Sequence, residues 1–401
     1  MKNLLKKLSC LMVVAFVAVS LFSCALTPQT QLKFTAFPEA EYVVGEVKEA
    51  EFLEAVKVEL DGTPITLTTL KGLGATITGI HLDQVGTYTL VIVYKGASIV
   101  FEYDVVTKFE AELNTIQYAT LEEAFAVANE SSELSQIKVL KNVVVEPNTL
   151  IVDKTAKIQL NTNGFTIYGV NDNKTKSNQL IQNKGELEII GNGVISYLSK
   201  YPDVEWGAKD PSGNKQFPSY ADNTIKNEGK LTVNGNVTIQ NLTAAGGASY
   251  AIDSYQGSTT IINNGYIYQP NNIAIRLFCN GNDTTLEING GQITGTRGIW
   301  IQLPNGVGSA AHSVNVTING GKIHATKENN CALYLYSYGN PFDNVNVTIT
   351  GGEFTGSYVA FDGGEKYGAS NVTITGGLFE FDVIRYTSGD AVILKDANIT
   401  E

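Results

Sequence analysis

Leu286-Glu287-Ile288-Asn289-Gly290-Gly291, Val316-Thr317-Ile318-Asn319-Gly320-Gly321, Val347-Thr348-Ile349-Thr350-Gly351-Gly352 and Val372-Thr373-Ile374-Thr375-Gly376-Gly377 are four copies of one phrase. Each alternates aliphatic with polar residues and then turns on a glycine pair. That alternation belongs to a strand with one buried face. The second glycines stand 30, 31 and 25 residues apart. Looser copies run upstream through Ile158-Gln159-Leu160, Leu187-Glu188-Ile189, Leu231-Thr232-Val233 and Thr260-Ile261-Ile262. Glycines 164, 193, 235, 265 and 291 step by 29, 42, 30 and 26 residues. A unit of this length holds two or three short strands and has too little mass to bury its own apolar edge. Stacked as coils, the copies join their edges into continuous rows of Val, Leu and Ile inside a tube, with Thr facing out. A propeller blade needs about forty residues and four strands per repeat, which is longer than this.

This pattern resembles the right-handed parallel β-helices of pectin-lyase-like architecture. The resemblance implies a β-helix over residues 108–401. Just ahead of the repeats, Thr120-Leu121-Glu122-Glu123 spells a capping box, and Leu121, Ala124, Phe125 and Ala128 share one helical face. This helix suits an N-terminal cap over an otherwise open coil end, and it looks like the one helix of consequence in the mature chain.

Upstream, residues 32–107 read as short strands. Val91-Ile92-Val93-Tyr94 and Ile99-Val100-Phe101-Glu102-Tyr103 flank the turn Lys95-Gly96-Ala97-Ser98. Asp61-Gly62 marks another turn, before Ile65-Thr66-Leu67. Asp83-Gln84-Val85-Gly86-Thr87-Tyr88 looks like a tyrosine corner, and the segment is similar to bacterial Ig-like domains. The resemblance implies a β-sandwich that acts as a spacer, with Tyr88 structural. The expected fold class is therefore all-β: an Ig-like β-sandwich followed by a right-handed parallel β-helix with an N-terminal capping helix.

The first residues carry an address. Lys2, Lys6 and Lys7 precede an apolar run from Leu8 to Leu21, too short to span a bilayer comfortably. Leu21-Phe22-Ser23-Cys24 resembles a bacterial lipobox, with Phe22 bulkier than usual at its position. The resemblance implies cleavage after residue 23, lipidation of Cys24 and a tether over residues 24–31. The expected location is outside the cell, lipid-anchored to the bacterial membrane and exposed at the surface. The formal net charge is −12. Such a surface does not adhere to anionic headgroups by charge, so the acyl chains hold it there.

The same charge, with Arg276, Arg297 and Arg385 the only arginines, excludes a nucleic-acid partner, which needs a cationic footprint. Cys279 and Cys331 fall at different phases of the repeat, which favours two buried thiols over a disulfide. No cysteine spacing matches a zinc site. Asn171-Asp172-Asn173 offers oxygens of the kind Ca²⁺ takes, but without the periodic acidic nonapeptide, so no cofactor is expected.

Fold alone does not settle function. The Asn-Thr-Asp, Asp-Asp, Gly-His-Gly and Arg-Ile-Lys signatures of polygalacturonase-like enzymes do not occur. Gly298-Ile299-Trp300-Ile301-Gln302-Leu303 lacks the Asp-His of pectate-lyase-like enzymes. A second strand in each coil is more suggestive. Ala251-Ile252-Asp253-Ser254-Tyr255, Ala274-Ile275-Arg276-Leu277-Phe278, Ile299-Trp300-Ile301-Gln302-Leu303 and Ala332-Leu333-Tyr334-Leu335-Tyr336 align. With Ile275, Leu277, Leu333 and Leu335 inward, Asp253, Arg276, Trp300, Gln302, Tyr334 and Tyr336 line one outer face. Aromatic rings stack on sugar C–H faces while amides and charges bond hydroxyls, so the stripe suits a glycan groove. Equally, these are ordinary strand residues on a sheet. The long repeat step reflects an insertion, Tyr197 to Asp222, whose Trp206 would stand on a groove wall or under a plain lid. The leading expectation is a non-catalytic, adhesin-like binder of carbohydrate or a surface protein. The alternatives are an atypical polysaccharide lyase or glycoside hydrolase, and a passive stalk.

Overall fold

The computed structural model describes residues 30–36, 41–171, 178–199, 221–243, 248–255, 257–279, 282–303, 313–327, 330–337, 345–363, 371–381, 383–387, 390–393 and 398–399. Cys24 with the signal segment, Trp206 and the Asp172-Asn173 pair lie outside the described residues. The chain divides into two compact units, Met1–Lys108 and Phe109–Glu401.

In the first unit, Leu32–Ala36, Lys57–Leu60 and Thr63–Thr66 form an antiparallel sheet. Glu41–Val43, Ala97–Val106, Gly86–Tyr94 and Thr76–Thr78 form a second sheet in that order, its first pair parallel. The long hairpin is tighter than its sequence suggests. Val93 pairs with Ser98 and Tyr94 with Ala97, leaving only Lys95 and Gly96 to turn, both at positive φ (47° and 85°). A two-residue turn of this hand matches the twist of its strands.

Two short helices, Glu49–Ala55 and Leu67–Gly72, stand where only strands were expected. The strand through Ile65 stops at Thr66 because the Thr66 hydroxyl accepts the Thr69 N–H at 3.2 Å. This capping starts a helix that buries Leu67 and Leu70. Tyr88 Oη donates to the Gln84 carbonyl at 3.0 Å, a local tie. The deeply buried tyrosine is Tyr103, whose hydroxyl donates to Gly79 O at 2.9 Å and accepts His81 N–H at 2.8 Å.

The second unit is built on three ladders of parallel strands. The first face runs through Leu134–Val139, Lys157–Asn161, Glu186–Ile190, Lys230–Val233, Thr259–Ile262, Thr284–Ile288, Val314–Ile318, Val345–Ile349 and Asn371–Ile374. The second starts at Val143–Val145 and Thr166–Asn171, and the third at Leu150–Val152 and Asn178–Asn183. The chain visits first, second and third face in turn and returns to the first one rung on. Two long strands, Tyr266–Phe278 and Gln292–Leu303, pass through both the second and third faces without a loop. The unit is mostly strand in large parallel sheets, an arrangement compatible with a parallel β-helix.

Like residues stack on like. Leu187, Leu231, Leu286, Val316 and Val347 occupy one buried row of the first face, and Ile189, Val233, Ile262, Ile288, Ile318 and Ile349 the next. Burying each such side chain is worth about 1.5–3 kcal/mol. One polar residue, Thr260, interrupts the first row and is satisfied inside, by Asn227 at 2.8 Å and Ser254 at 2.6 Å. Outside, the asparagines before the glycine pairs form their own ladder. Asn289 donates to Asn263 and Asn319 to Asn289, each at 2.8 Å.

Gly321 sits at φ 84°, where a side chain is strained. Gly320 is required for a different reason: a Cβ there would stand 2.6 Å from the Asn289 carbonyl of the preceding coil. The helix Leu121–Ala128 starts at Thr120 with the reciprocal capping box to Glu123 and buries Leu121, Ala124, Phe125 and Ala128 in the same core. Asn129 fastens its end to the first coil, donating to Ile151 O at 2.8 Å and accepting Asp153 N–H at 2.9 Å. Cys279 and Cys331 are both buried and not joined by a disulfide. Burial pushes the Cys279 thiol up to about 12.

Gly320→Ala is expected to destabilise the chain by about 1–3 kcal/mol through overpacking. Gly72→Ala, with nothing within 4 Å of the new methyl, should change stability little. Denaturant unfolding followed by circular dichroism checks both.

Candidate functional site: the outer side of the third face

The third face carries the stripe expected from the sequence, and its register is fixed by coil-to-coil pairing. Ile252, Ile275, Ile299 and Leu333 stack inward, fully buried. The alternate positions point outward. Asp253 therefore pairs with Arg276, Arg276 with Trp300, and Trp300 with Tyr334 on successive coils, while Phe278 pairs with Gln302 and Gln302 with Tyr336. The Tyr336 side chain and Trp206 lie outside the described residues.

The stripe has two chemically different halves. In the first, the charged groups satisfy one another. Arg276 grips Asp253 bidentately, Nε to Oδ1 at 2.8 Å and Nη2 to Oδ2 at 2.7 Å. Its Nη1 donates to Gln302 Oε1 at 3.3 Å, and Asn223 Nδ2 donates to Asp253 Oδ2 at 3.3 Å. The guanidinium lies between the rings of Tyr250 (4.3 Å) and Phe278 (4.8 Å). Phe278 in turn stacks on Tyr255 at 5.0 Å, and Lys226 Nζ lies 4.6 Å from the Tyr255 ring centre. Asp253 is 1 % exposed and the Arg276 side chain 12 %. Burial opposes the charge on Arg276, but Asp253 beside it prevails and holds the guanidinium's pKa above its ordinary value. This half is a closed ion-pair cluster, and Asp253 is committed to it.

The second half holds no ion pair among the described residues. Trp300 and Tyr334, on adjacent coils, are both partly exposed. The guanidinium of Arg297 lies 4.9 Å from the Tyr334 ring centre and 5.7 Å from that of Trp300. Arg297 Nε and Trp300 Nε1 are shielded from solvent and have no hydrogen-bond partner. A buried donor left without an acceptor costs about 1–3 kcal/mol. Among the described residues, no carboxylate lies within ion-pair distance of Arg297.

Arg297 was missed in the sequence because strict alternation from Ile299 and Ile301 assigns it to the inner row. It escapes inward burial because Gln292–Leu303 bends there from second face to third. Tyr250, Tyr255 and Phe278, which hold the closed half together, carry no motif that marks them, although the aligned strands contain Tyr255 and Phe278.

Tyr197, read as the start of the insertion, is fully buried within the strand Val194–Ser199. It continues the inward alternation of Ile195 and meets a buried carboxyl, Asp222. Asp222 Oδ1 accepts from Tyr197 Oη at 3.3 Å and from Asn171 Nδ2 at 3.2 Å. Burial pushes the Asp222 pKa up, against the pull of hydrogen bonds from Ser199, Asn171, Tyr197 and the Asn178 N–H. Among the described residues, no group of three or more His, Cys, Asp or Glu gathers in a way that could hold a metal ion. No helix among the described residues is long and apolar enough to cross a membrane.

No family model matches the chain, and no curated protein matches it in sequence.

Asp253→Ala should cost about 3–5 kcal/mol, because it leaves the Arg276 charge buried and unpaired. The double variant Asp253→Ala with Arg276→Met should recover much of this loss, which a double-mutant cycle in denaturant measures. For Asp222, a folded pKa above the unfolded value means a stabilising contribution that is complete below about 3.8 and lost as pH rises through the folded value. Asp222→Asn should therefore be more stable than the parent at neutral pH, with the gain vanishing in acid. Thermal unfolding across pH tests this.

Proposed function

We propose that this chain is a lipid-anchored bacterial surface protein that binds carbohydrate without catalysis. In this reading Cys24 carries the lipid and the first unit is an Ig-like spacer. The second unit is a right-handed β-helix closed at its start by the helix Leu121–Ala128. The observation that carries the binding role is the second half of the stripe. Trp300 and Tyr334 stand one coil apart as partly exposed residues, with the Arg297 guanidinium over their rings and two shielded donors without acceptors. Pyranose C–H faces stack on such rings, and hydroxyls supply the missing acceptors.

Neighbouring coils lie about 4.8 Å apart, so the two rings offer a short platform suited to one or two sugar units. An enzyme reading is weaker because Asp253, the carboxylate among the described side chains of the stripe, is locked to Arg276 and Asn223. A general acid or base needs a carboxyl free to exchange a proton with substrate.

The test is a glycan array probed with the purified full chain in detergent, beside Trp300→Ala and Tyr334→Ala variants with unchanged circular dichroism. Each substitution is expected to weaken binding by about tenfold or more, in line with the loss of one stacking ring. Binding that neither substitution weakens would move the site elsewhere. A blank array would return the question to protein adhesion or a passive stalk, and release of oligosaccharides would favour the enzyme.

A further inference from the structure

We propose that Asn264 is a site of spontaneous deamidation, selected over the other asparagine–glycine pairs of the coils by the geometry of its turn. The inference stands apart from the carbohydrate-binding reading. It concerns a covalent change that the folded chain brings upon itself.

An asparagine followed by glycine is open to attack by the glycine nitrogen on the side-chain amide, because glycine allows a close backbone approach. The sequence holds eight such pairs, so the dipeptide alone selects nothing. Asn280-Gly281 and Asn305-Gly306 lie outside the described residues, which leaves six to compare.

In three of the six, the attacking nitrogen is tied to the preceding coil. Gly193 N–H donates to Thr162 Oγ1 at 2.9 Å, and Gly193 is buried. Gly235 N–H and Gly290 N–H donate to the carbonyls of Ile189 and Ile262, each at 3.3 Å. In two more, the amide under attack is held elsewhere. Asn163 Nδ2 donates to the Val139 carbonyl at 3.1 Å. Asn319 spans two coils, donating to Asn289 and accepting from Thr350 Oγ1, each at 2.8 Å.

Asn264 is different. Its side chain is exposed, and the Gly265 N–H donates back to its own Oδ1 at 2.8 Å. A nitrogen in that position stands beside Cγ, to which Oδ1 is bonded, close to the separation of about 3–3.5 Å at which reacting atoms meet. Gly265 takes φ 101°, a backbone that a residue with a side chain rarely adopts.

The reaction balances without any partner but water. Gly265 N bonds to Asn264 Cγ, the Cγ–Nδ2 bond breaks, and the proton lost from Gly265 N leaves with Nδ2 as ammonia. The cyclic imide then takes up one water. Opening at Cγ gives aspartate, and opening at the backbone carbonyl gives isoaspartate. Both products disturb the coil corner. Asn264 Nδ2 donates to Asn236 Oδ1 at 2.6 Å, and a carboxylate has no hydrogen to give there. Isoaspartate also lengthens the backbone by one methylene beside Asn263, which accepts from Asn289 in the outer asparagine ladder.

The experiment incubates the purified full chain in detergent, in mildly alkaline buffer, folded and in denaturant. Peptide mass mapping and isoaspartate detection follow all six pairs with time. In the folded chain, Asn264 is expected to convert about tenfold or more faster than Asn234, Asn289 and Asn319, because misplacement by about 1 Å can cost a hundredfold. In denaturant the six should convert at similar rates. Conversion of Asn264 no faster than these three in the folded chain would overturn the proposal. The parent and Asn264→Gln, matched by circular dichroism, are then unfolded in denaturant before and after incubation. The parent's midpoint should fall with incubation more than the variant's. Equal loss in both would overturn the effect assigned to the coil corner.

Discussion

Parallel pairing from one coil to the next governs everything else in the second unit. Each strand bonds to the strand one repeat earlier in register, so a given position meets its own counterpart at about 4.8 Å. The constraint is severe for polar groups, because like then stacks on like. Asparagine is among the few side chains that profit, since its amide donates to one neighbour and accepts from the other, as Asn263, Asn289 and Asn319 do. Aliphatic residues profit inside, where rows of Ile and Leu fill the tube. Glycine is tolerated at Gly320 only because the preceding coil's carbonyl leaves no room for anything larger.

Charged residues cannot follow that rule, and the third face shows two ways around it. One is complementary stacking: Asp253 under Arg276 converts a repulsive like-on-like register into a bidentate pair. The other is to interleave rings with charge, as Tyr250 and Phe278 do around Arg276. Replacing such a buried pair with apolar residues is often neutral or stabilising, so its presence is no evidence of extra stability. Its effect here is to quiet one end of the stripe. At the other end, Arg297 has no carboxylate within ion-pair distance among the described residues, and its guanidinium lies over the Trp300 and Tyr334 rings.

Much of the second unit could be read directly. Period-two alternation and the Gly-Gly steps locate the strands of the first face, and the capping box at Thr120 and Glu123 marks the start of the helix. The inward and outward assignment of Asp253, Arg276, Trp300 and Tyr334 follows from the same alternation. Other features were hidden for definite reasons. The Asp253–Arg276 pair joins residues 23 apart, a distance set by coil length rather than by any local motif. Arg297 sits where a strand bends between faces, and there alternation misassigns it. Tyr197 looks like loop sequence because of the aromatic run after it, whereas its own parity with Ile195 places it inside. In the first unit, the helix after Thr66 depends on a single hydroxyl cap within a stretch of strand-favouring residues.

The two unsatisfied donors near Trp300 are best understood against the rest of the same surface. The interior of this unit finds partners for some awkward groups, Thr260 through Asn227 and Ser254 and Asp222 through Asn171 and Tyr197, while Asn183 Oδ1 and Asn223 Oδ1 are buried without one. Leaving Trp300 Nε1 and Arg297 Nε without acceptors costs stability. Under the proposed binding role, a ligand would supply those acceptors and offset this cost.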